Sequence, residues 1–582
     1  MRSLDHKTSG ESSLKERPAP ETAGNDSALL TGTSGRRFDQ GSSGPGLRWQ
    51  VCLLLVAWGI LCSLHWTNDG LFFQGDAPRH AINGLFWKDL LQDGWRQPGD
   101  YARSYFARYP VICPTYYPPV FYLVEAAAFS LFGASPYVAK GVVLAFSLIA
   151  GIYTLAWLRE WIEPAAGAAA GLVLLMPGIT TWSHAVMLDV PAMAFGVGAL
   201  YHCRRALESS ADGGSSRQLS VSAALATLGI LTHPTIGTVV FVGVAWMLVT
   251  RRWEILLRPS TLLIAITCVI ALLPVFYVLY QWGPRQFSQL SRPPGRPFSL
   301  WSFLGRSLTY YGRTFVIPMA GATVLVSAGP GLLVGLARPR WRRETILVLL
   351  WLAVPYLILS LIWAKDERYL LIACPALVCL IAIGALSASK WLSRYGWPRL
   401  GRFAVASLLG GLALISIDNA RRHPLPSVSG FIDVVEFMEQ VAPSEPVFYD
   451  GNFDGVYVFY LRLRDPQFQR QVVLVRKWIP DGTTKSMNYE AIGDKIMASG
   501  CRWLILEVPT GREQSHLWVK MRDIVRRGEF ELVRNFAIGN GFLHRVEVYR
   551  IRNPANDDPD DDPLAFDMPQ DVGGHVVRPI RR

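Results

Sequence analysis

A short segment after the first apolar run places ionisable residues among aromatic ones. The sequence LFFQGDAPRHAINGLFW (residues 71–87) carries Asp76, Arg79 and His80 between Phe and Trp side chains. An ionisable group where hydrocarbon ends and water begins is costly unless it is solvated, paired or used, so Asp76 is a candidate functional residue. The alternative is structural, because Asp76 and Arg79 are three residues apart and could form an ion pair that caps an interfacial helix.

Two more polar residues stand at the start or the break of an apolar run. Asp189 in HAVMLDVPAMAF heads a run and is followed by Val-Pro. Asp and Pro both suit the first turn of a helix, so helix capping explains this position as well as chemistry does. His233 in LTHPTIG interrupts an apolar stretch, either as a hinge or as a polar group that faces a cavity from a broken helix.

Arginine and tyrosine side chains supply the remaining candidates. Arg368 and Tyr369 follow Lys-Asp-Glu at the start of another run, where a cation can bind phosphate or can belong to a solvated turn. Tyr116 and Tyr117 precede Pro-Pro, a position that also suits the aromatic belt of a membrane interface. Each signal has a structural alternative, and a meeting of all of them at one face would be more specific than any one.

The composition predicts the elements that must position these residues. The chain has 582 residues, of which 51% are hydrophobic and only 18% are charged. Apolar runs of about 15–25 residues between Trp49 and Ile417 are long enough to cross hydrocarbon as helices, so we expect an α-helical polytopic membrane protein. The net charge of +12 lies in short clusters between these runs, which indicates topology-setting loops and not a nucleic-acid surface. The eight cysteines show neither CxxC nor Cys/His metal spacing.

About eleven transmembrane helices are predicted. Their segments are 49–66, 137–158, 165–182, 189–203, 218–231, 234–250, 260–281, 313–337, 344–363, 369–389 and 403–418. A further apolar segment, 117–133, is near the minimum length for a span. If it does not cross, the cytoplasmic loops carry more than twice as many Lys and Arg as the opposite loops, and if it crosses, the ratio inverts. We therefore expect it to be an interfacial helix at the outer surface.

This topology sets the predicted domains and their sides. Residues 1–47 are predicted to be a disordered cytoplasmic tail, and 48–420 a transmembrane domain with interfacial helices in a first outer loop, 74–136. Short β-rich runs alternate with helical stretches over 425–553, which predicts a small C-terminal extracytoplasmic α/β domain. Residues 554–582 are predicted to be a disordered acidic tail. The candidate carboxylates, histidines and arginines then all reach the outer face of the cell (inner) membrane.

The polar positions taken together resemble a known pattern. The pattern consists of Asp76 in the first outer loop, a Tyr-Pro-Pro segment that ends in Leu131-Phe132-Gly133, a Leu-Asp span head at Asp189, a Leu-Thr-His break at His233, and Arg368-Tyr369 before a Pro-containing span. It is similar to the C-type (GT-C) integral-membrane glycosyltransferases. Within them, residues 49–420 resemble the bacterial relatives of protein O-mannosyltransferases and of the aminoarabinose lipid A transferase (family 39-like).

The resemblance implies a GT-C-like fold, a reaction and a set of roles. Such proteins transfer a sugar, with inversion, from a polyprenyl-phosphate carrier to an acceptor outside the cytoplasm. By resemblance, Asp76 is the base and Asp189 a second catalytic carboxylate. The residues expected to bind the donor phosphate or the substrate are Arg79, His80, Tyr116, Tyr117, His233, Arg368 and Tyr369.

Three positions depart from the family pattern. Many relatives have Asp-Glu where this chain has Asp76-Ala77, Lys-Pro-Pro where it has Tyr117-Pro118-Pro119, and lysine where it has His233. Arg79 or the arginines of residues 283–312 are candidates to replace the missing cations. The missing Glu weakens a two-carboxylate metal site, so no metal ligand and no cofactor is assigned, and a divalent cation stays open.

The sequence therefore predicts a membrane glycosyltransferase that transfers a hexosyl or pentosyl group. Its predicted partners are a polyprenyl-phosphate sugar donor and membrane lipid, and the acceptor is not assigned. One alternative is a transporter or flippase of lipid-linked glycan, in which the same polar residues line a passage. The inner halves of the spans offer almost no ionisable groups away from their ends, and no inverted repeat is evident, which disfavours a passage. A catalytically silent GT-C relative is the other alternative.

Overall fold

The structure is a computed structural model that describes residues 45–64, 76–113, 116–162, 165–208, 214–282, 300–363, 365–423, 427–478, 488–509, 516–539, 543–552, 566–567 and 576–577. The predicted tail 1–47 therefore lies largely outside the described residues. So does the predicted tail 554–582, in which two short paired strands, Phe566–Asp567 and Val576–Val577, are described.

Helices build the membrane part of the chain. They are α1 (Pro45–Leu64), α2 (Asp76–Asp89), α3 (Pro98–Arg108), α4 (Val120–Phe132), α5 (Pro136–Ile162), α6 (Ala166–Leu175), α7 (Pro177–His184), α8 (Asp189–Glu208), α9 (Gly214–Ile230), α10 (Gly237–Val249), α11 (Pro259–Trp282), α12 (Leu300–Thr314), α13 (Ala322–Ala337), α14 (Pro339–Leu361), α15 (Cys374–Arg394) and α16 (Pro398–Arg422). Each predicted span falls on one or more of them. Within the described ranges, six helices are long and apolar enough to cross a membrane, or up to eight if each of two bent pairs is one span. The protein is a multi-pass membrane protein, and the count of eleven spans stays a prediction.

Two predicted spans contain a sharp bend. The segment predicted over 165–182 consists of α6 and α7, which meet at 61°. Pro177 explains the break, because proline cannot donate the next helical hydrogen bond and holds Met176 extended, with ψ at 143°. The segment predicted over 313–337 passes through a π-helical turn and then Gly321, where φ is +79° and the direction changes by 104° before α13.

Three helices between α1 and α5 correspond to the predicted first loop. The segment expected at the membrane surface, 117–133, forms α4, whose 13 residues extend about 20 Å and do not reach across 30 Å of hydrocarbon. α4 packs closely on α2, with the wholly buried carboxyl group of Glu125 lying over Gly84. α2 is thereby held against the bundle.

The C-terminal part contains the small sheet that the sequence predicts. Its elements are α17 (Phe431–Val441), β1 (Val447–Asp450), α18 (Asp454–Leu463), β2 (Val472–Leu474), α19 (Val475–Trp478), α20 (Tyr489–Ala498), β3 (Trp503–Pro509), α21 (His516–Ile524), β4 (Phe530–Ala537) and β5 (Leu543–Ile551). The strand order is β2-β1-β3-β5-β4, with β1 parallel to both of its neighbours and β5 antiparallel to β3 and β4. We call residues 427–552 the α/β region.

One continuous apolar core joins the helices to the sheet. Buried side chains run from the membrane helices through α2 and α3 into α18 and the parallel strands. Polar contacts cross the same junction: Arg462 Nη2 lies 2.7 Å from Asp89 Oδ2, and the hydroxyl of Tyr109 donates to Asp465 at 2.6 Å. The α/β region is thus packed directly on the loop helices that carry Asp76.

Candidate functional site

A buried arginine, Arg368, lies where three carboxylates converge. It is the second residue of a 3₁₀ turn, Glu367–Ala373, and is only 6% exposed. Its Nε lies 3.4 Å from Asp189 Oδ2 and 3.3 Å from Asp366 Oδ2, and its Nη2 lies 3.9 Å from Asp76 Oδ2. Because arginine does not deprotonate in proteins, this position holds a permanent positive charge.

Two of these carboxylates belong to residues at the start of a helix or helical turn. Asp366 precedes the turn and accepts a hydrogen bond from the backbone N–H of Arg368 at 3.2 Å, as an N-cap does. Asp189 begins α8, where its buried side chain faces Arg368. Asp366 was not among the predicted site residues, although an aspartate two residues before a cation at a helix start is a signal that the sequence carries.

Apolar side chains shape the rest of the surroundings of Arg368. The guanidinium carbon lies 5.4 Å from the ring centre of Trp182 and 6.0 Å from that of Tyr369, and Nη1 lies 3.7 Å from Met187 Sδ. Trp182 and Met187 lie within or beside apolar runs, so no polar signal in the sequence points to them.

Asp76 is the most exposed carboxylate of the group. It begins α2, and 48% of its side chain is exposed, against 4% for Asp189 and 30% for Asp366. Arg79 Nη1 lies 3.6 Å from Asp76 Oδ1, which is the helix-capping ion pair that the spacing allows. Asp76 therefore pairs with Arg79 at the helix start and also belongs to the site. As the most exposed of the three carboxylates, it is the group best placed to meet a ligand.

Aromatic and histidine rings form a wall beside Arg368. Tyr117 stacks on His233 with ring centres 5.8 Å apart, and Tyr369 lies 5.6 Å from His233 on another side. Tyr117 also contacts Tyr116 at 4.7 Å and His80 at 5.1 Å. His233 Nδ1 lies 2.7 Å from Thr235 Oγ1, which fixes the break between α9 and α10.

His80 is a buried and neutral member of this wall. Its Nδ1 lies 2.8 Å from the hydroxyl of Tyr122 on α4. Burial, followed by the charges of Arg368, His233 and Arg79, holds the pKa of His80 well below its usual value. The ring is therefore a hydrogen-bonding group and not a cation at neutral pH.

All nine residues predicted for the site belong to one connected set of contacts. Arg368 links Asp76 to Asp189 and, through Tyr369 and His233, to the tyrosine and histidine wall. In the part of the chain that the structure describes, no group of three or more His, Cys, Asp or Glu is arranged to hold a metal ion. Chemically, the set places an accessible carboxylate beside a fixed cation, an arrangement suited to a reaction that takes up a proton and releases an anion.

The helical bundle with its loop helices and small sheet has the fold of the GT-C integral-membrane glycosyltransferases, which confirms the expected resemblance. The structure is similar to that of ArnT from Cupriavidus metallidurans bound to undecaprenyl phosphate, with 16% sequence identity, a TM-score of 0.55, and coverage of 88% of this chain and 99% of that one. ArnT in the apo state gives a TM-score of 0.54. The oligosaccharyltransferase of Archaeoglobus fulgidus gives a TM-score of 0.48 at 13% identity, covering 79% of this chain and 69% of that one.

The sequence comparison covers a shorter part of the chain. Residues 117–278 match the family model of dolichyl-phosphate-mannose-protein mannosyltransferase. This stretch runs from Tyr117 through Asp189 and His233 into α11. No curated protein matches the sequence.

Proposed function

We propose that this protein is a membrane glycosyltransferase that moves a sugar from a polyprenyl-phosphate donor to an acceptor outside the cytoplasm. The observation that carries the proposal is the placement of exposed Asp76 within 3.9 Å of buried Arg368, in a chain with a GT-C fold. The N-terminus then lies in the cytoplasm and the α/β region outside the cell (inner) membrane, because this orientation puts most loop Lys and Arg inside.

The reaction fits these groups without an acid catalyst. An acceptor oxygen attacks the anomeric carbon, the bond from that carbon to the phosphate oxygen breaks, and the acceptor proton passes to Asp76. Arg368 is placed to hold the charge that develops on the departing phosphate. Asp189 and Asp366 would keep Arg368 fixed, and a single displacement would invert the anomeric centre.

The lipid tail of the donor has a matching apolar space. A cavity of about 360 Å³ lies among α8, α9, α10 and α11 and is lined almost wholly by apolar atoms. Ile230 and Val239 in its lining stand on either side of the break at His233, so the cavity approaches the wall of the site. Undecaprenyl phosphate, the ligand of ArnT, is the donor carrier that we propose for this chain.

Turnover of a labelled donor tests the proposal. Purified protein in lipid nanodiscs, given a panel of labelled undecaprenyl-phosphate hexoses and pentoses, should release undecaprenyl phosphate slowly with water as acceptor. Asp76→Asn should lower this rate at least about a hundredfold, the usual contribution of a general base. Asp100→Asn is the matched control, since Asp100 is an exposed aspartate on α3 that pairs with Arg103.

Two results would contradict the proposal. Full activity of Asp76→Asn would remove Asp76 from the mechanism. Absence of turnover with every donor, together with movement of a labelled lipid-linked sugar across liposomes, would instead establish the transporter.

A further inference from the structure

A buried carboxylate of the α/β region holds the arginine that pairs with Asp76. Asp454 begins α18, and its side chain is wholly buried. Its Oδ1 lies 3.2 Å from Arg79 Nη2 and accepts the backbone N–H of Gly455 at 2.9 Å. Its Oδ2 pairs with Arg476.

The contact to Asp454 is shorter than the contact to Asp76. Arg79 lies 3.2 Å from Asp454 and 3.6 Å from Asp76. Although burial raises the pKa of Asp454, the charges of Arg476 and Arg79 outweigh it and bring that pKa below its usual value. Asp454 is therefore an ionised anchor, and it sets where the guanidinium of Arg79 stands beside Asp76.

The loop that carries Asp454 is itself braced from the sheet. The carboxylate of Glu507 on β3 accepts backbone hydrogen bonds from Asn452 and Phe453, both at 2.7 Å, and contacts the hydroxyl of Tyr449. Asn452 and Phe453 immediately precede Asp454. Two strands thus fix the position of the Asp454 carboxylate.

This loop lies at the edge of the sheet where α/β proteins commonly bind ligands. β1 is parallel to β2 on one side and to β3 on the other, so the strand order reverses at β1, and ligands usually bind at the carboxyl ends of the strands at such a point. Here α2 occupies that place. A Cβ at Gly455 would stand 3.0 Å from Pro78 Cγ and 3.3 Å from Arg79 Cγ, so the side chains at the start of α2 pack directly on the glycine at the start of α18.

We propose that Asp454 is a positioning residue for the glycosyl transfer. The α/β region uses the carboxyl edge of its parallel strands to fix Arg79, and through Arg79 it fixes the carboxylate of Asp76. This inference rests on the proposed function. It also implies that this edge is not the binding surface for the acceptor, because α2 fills it.

Asp454→Asn tests the inference against a variant of the same junction. Removing the charge frees Arg79, so the rate constant kcat of donor turnover should fall about tenfold to a hundredfold while the donor KM stays within about twofold. Asp454→Glu keeps the charge on a longer side chain and should restore part of kcat, and it serves as the test variant if Asp454→Asn does not accumulate. The control is Tyr109→Phe, which removes the buried hydrogen bond to Asp465 and leaves Arg79 untouched.

Amide hydrogen exchange gives a readout that does not need turnover. Peptides from the first two turns of α2 should exchange faster in Asp454→Asn than in the wild type, and Tyr109→Phe should leave them unchanged. Wild-type kcat in Asp454→Asn, a kcat loss equal to that of Tyr109→Phe, or unchanged exchange in α2 would each overturn the inference. Absence of turnover in the wild type would count against the proposed function alone, because the exchange result could still be read.

Discussion

Arg368 Nε lies 3.4 Å from Asp189 Oδ2, and both residues are 6% exposed. The pair joins the start of α8 to the turn that precedes α15, so it ties two helix ends together at the site. A buried ion pair adds little net stability, but loss of one partner leaves an uncompensated charge. The pair should therefore have separable effects on stability and on activity.

Single and double replacement of this pair should show strong coupling. Arg368→Gln leaves Asp189 buried without its nearest counter-charge and should lower the free energy of unfolding by about 3–5 kcal/mol. The double variant Arg368→Gln/Asp189→Asn should regain much of that loss and remain inactive, because the cation is still absent. Thermal unfolding of the wild type, the two single variants and the double variant gives a double-mutant cycle. Strictly additive changes in the free energy of unfolding would show that the two groups do not interact.

His80 should make the protein less stable in acid. Its pKa in the folded protein lies well below its usual value because of burial, and because of Arg368, His233 and Arg79. The folded state then binds fewer protons than the unfolded state below about pH 6.5, so stability falls as pH falls. Between pH 8 and pH 5 the wild type should lose stability that His80→Gln does not lose, as measured by thermal unfolding at each pH. An equal change in the stability of the two proteins over this pH range would contradict the prediction.

Asp450 should make the protein less stable as pH rises, which is the opposite of the effect of His80. It ends β1 and is 5% exposed, and burial, partly offset by Arg476, raises its pKa to about 7. The folded state then binds more protons than the unfolded state, so this stabilisation is present at low pH and is lost as pH rises through about 7. From pH 5 to pH 8 the wild type should lose on the order of 2 kcal/mol relative to Asp450→Asn in thermal unfolding. A difference in stability between the wild type and Asp450→Asn that does not change with pH would rule out this role of Asp450.

The sequence predicts the helices well, and it singles out residues that the structure brings together, because both depend on local signals. Runs of apolar residues must be helical in a bilayer, whatever their partners are. The site residues stand out because ionisable groups at span ends are costly, and the predicted topology brings them to one side. The geometry adds contacts that join all nine of them, while their catalytic and binding roles remain proposals.

The partners of these residues could not be read from the sequence. Arg79 pairs with Asp454, which is distant in sequence and lies in the α/β region. Trp182 and Met187 contact Arg368 but look like ordinary apolar residues. The bend at Gly321 inside a predicted span was also missed, since nothing distinguishes that glycine from others in membrane helices until its φ is known.

Packing of α13 on α15 offers a last test, because these helices cross without side chains between them. Gly331 meets the backbone of α15 near Gly384, and a Cβ at Gly331 would overlap the carbonyl group of Leu380. Gly331→Ala should therefore force the helices apart and cost about 1–3 kcal/mol of unfolding free energy. Gly410 on α16 has open space at its Cβ position and is not followed by proline, so Gly410→Ala should be neutral or slightly stabilising. Because α15 directly follows the turn that carries Arg368, Gly331→Ala should also raise the donor KM. Equal unfolding temperatures for the two alanine variants would mean that α13 and α15 are not in backbone contact.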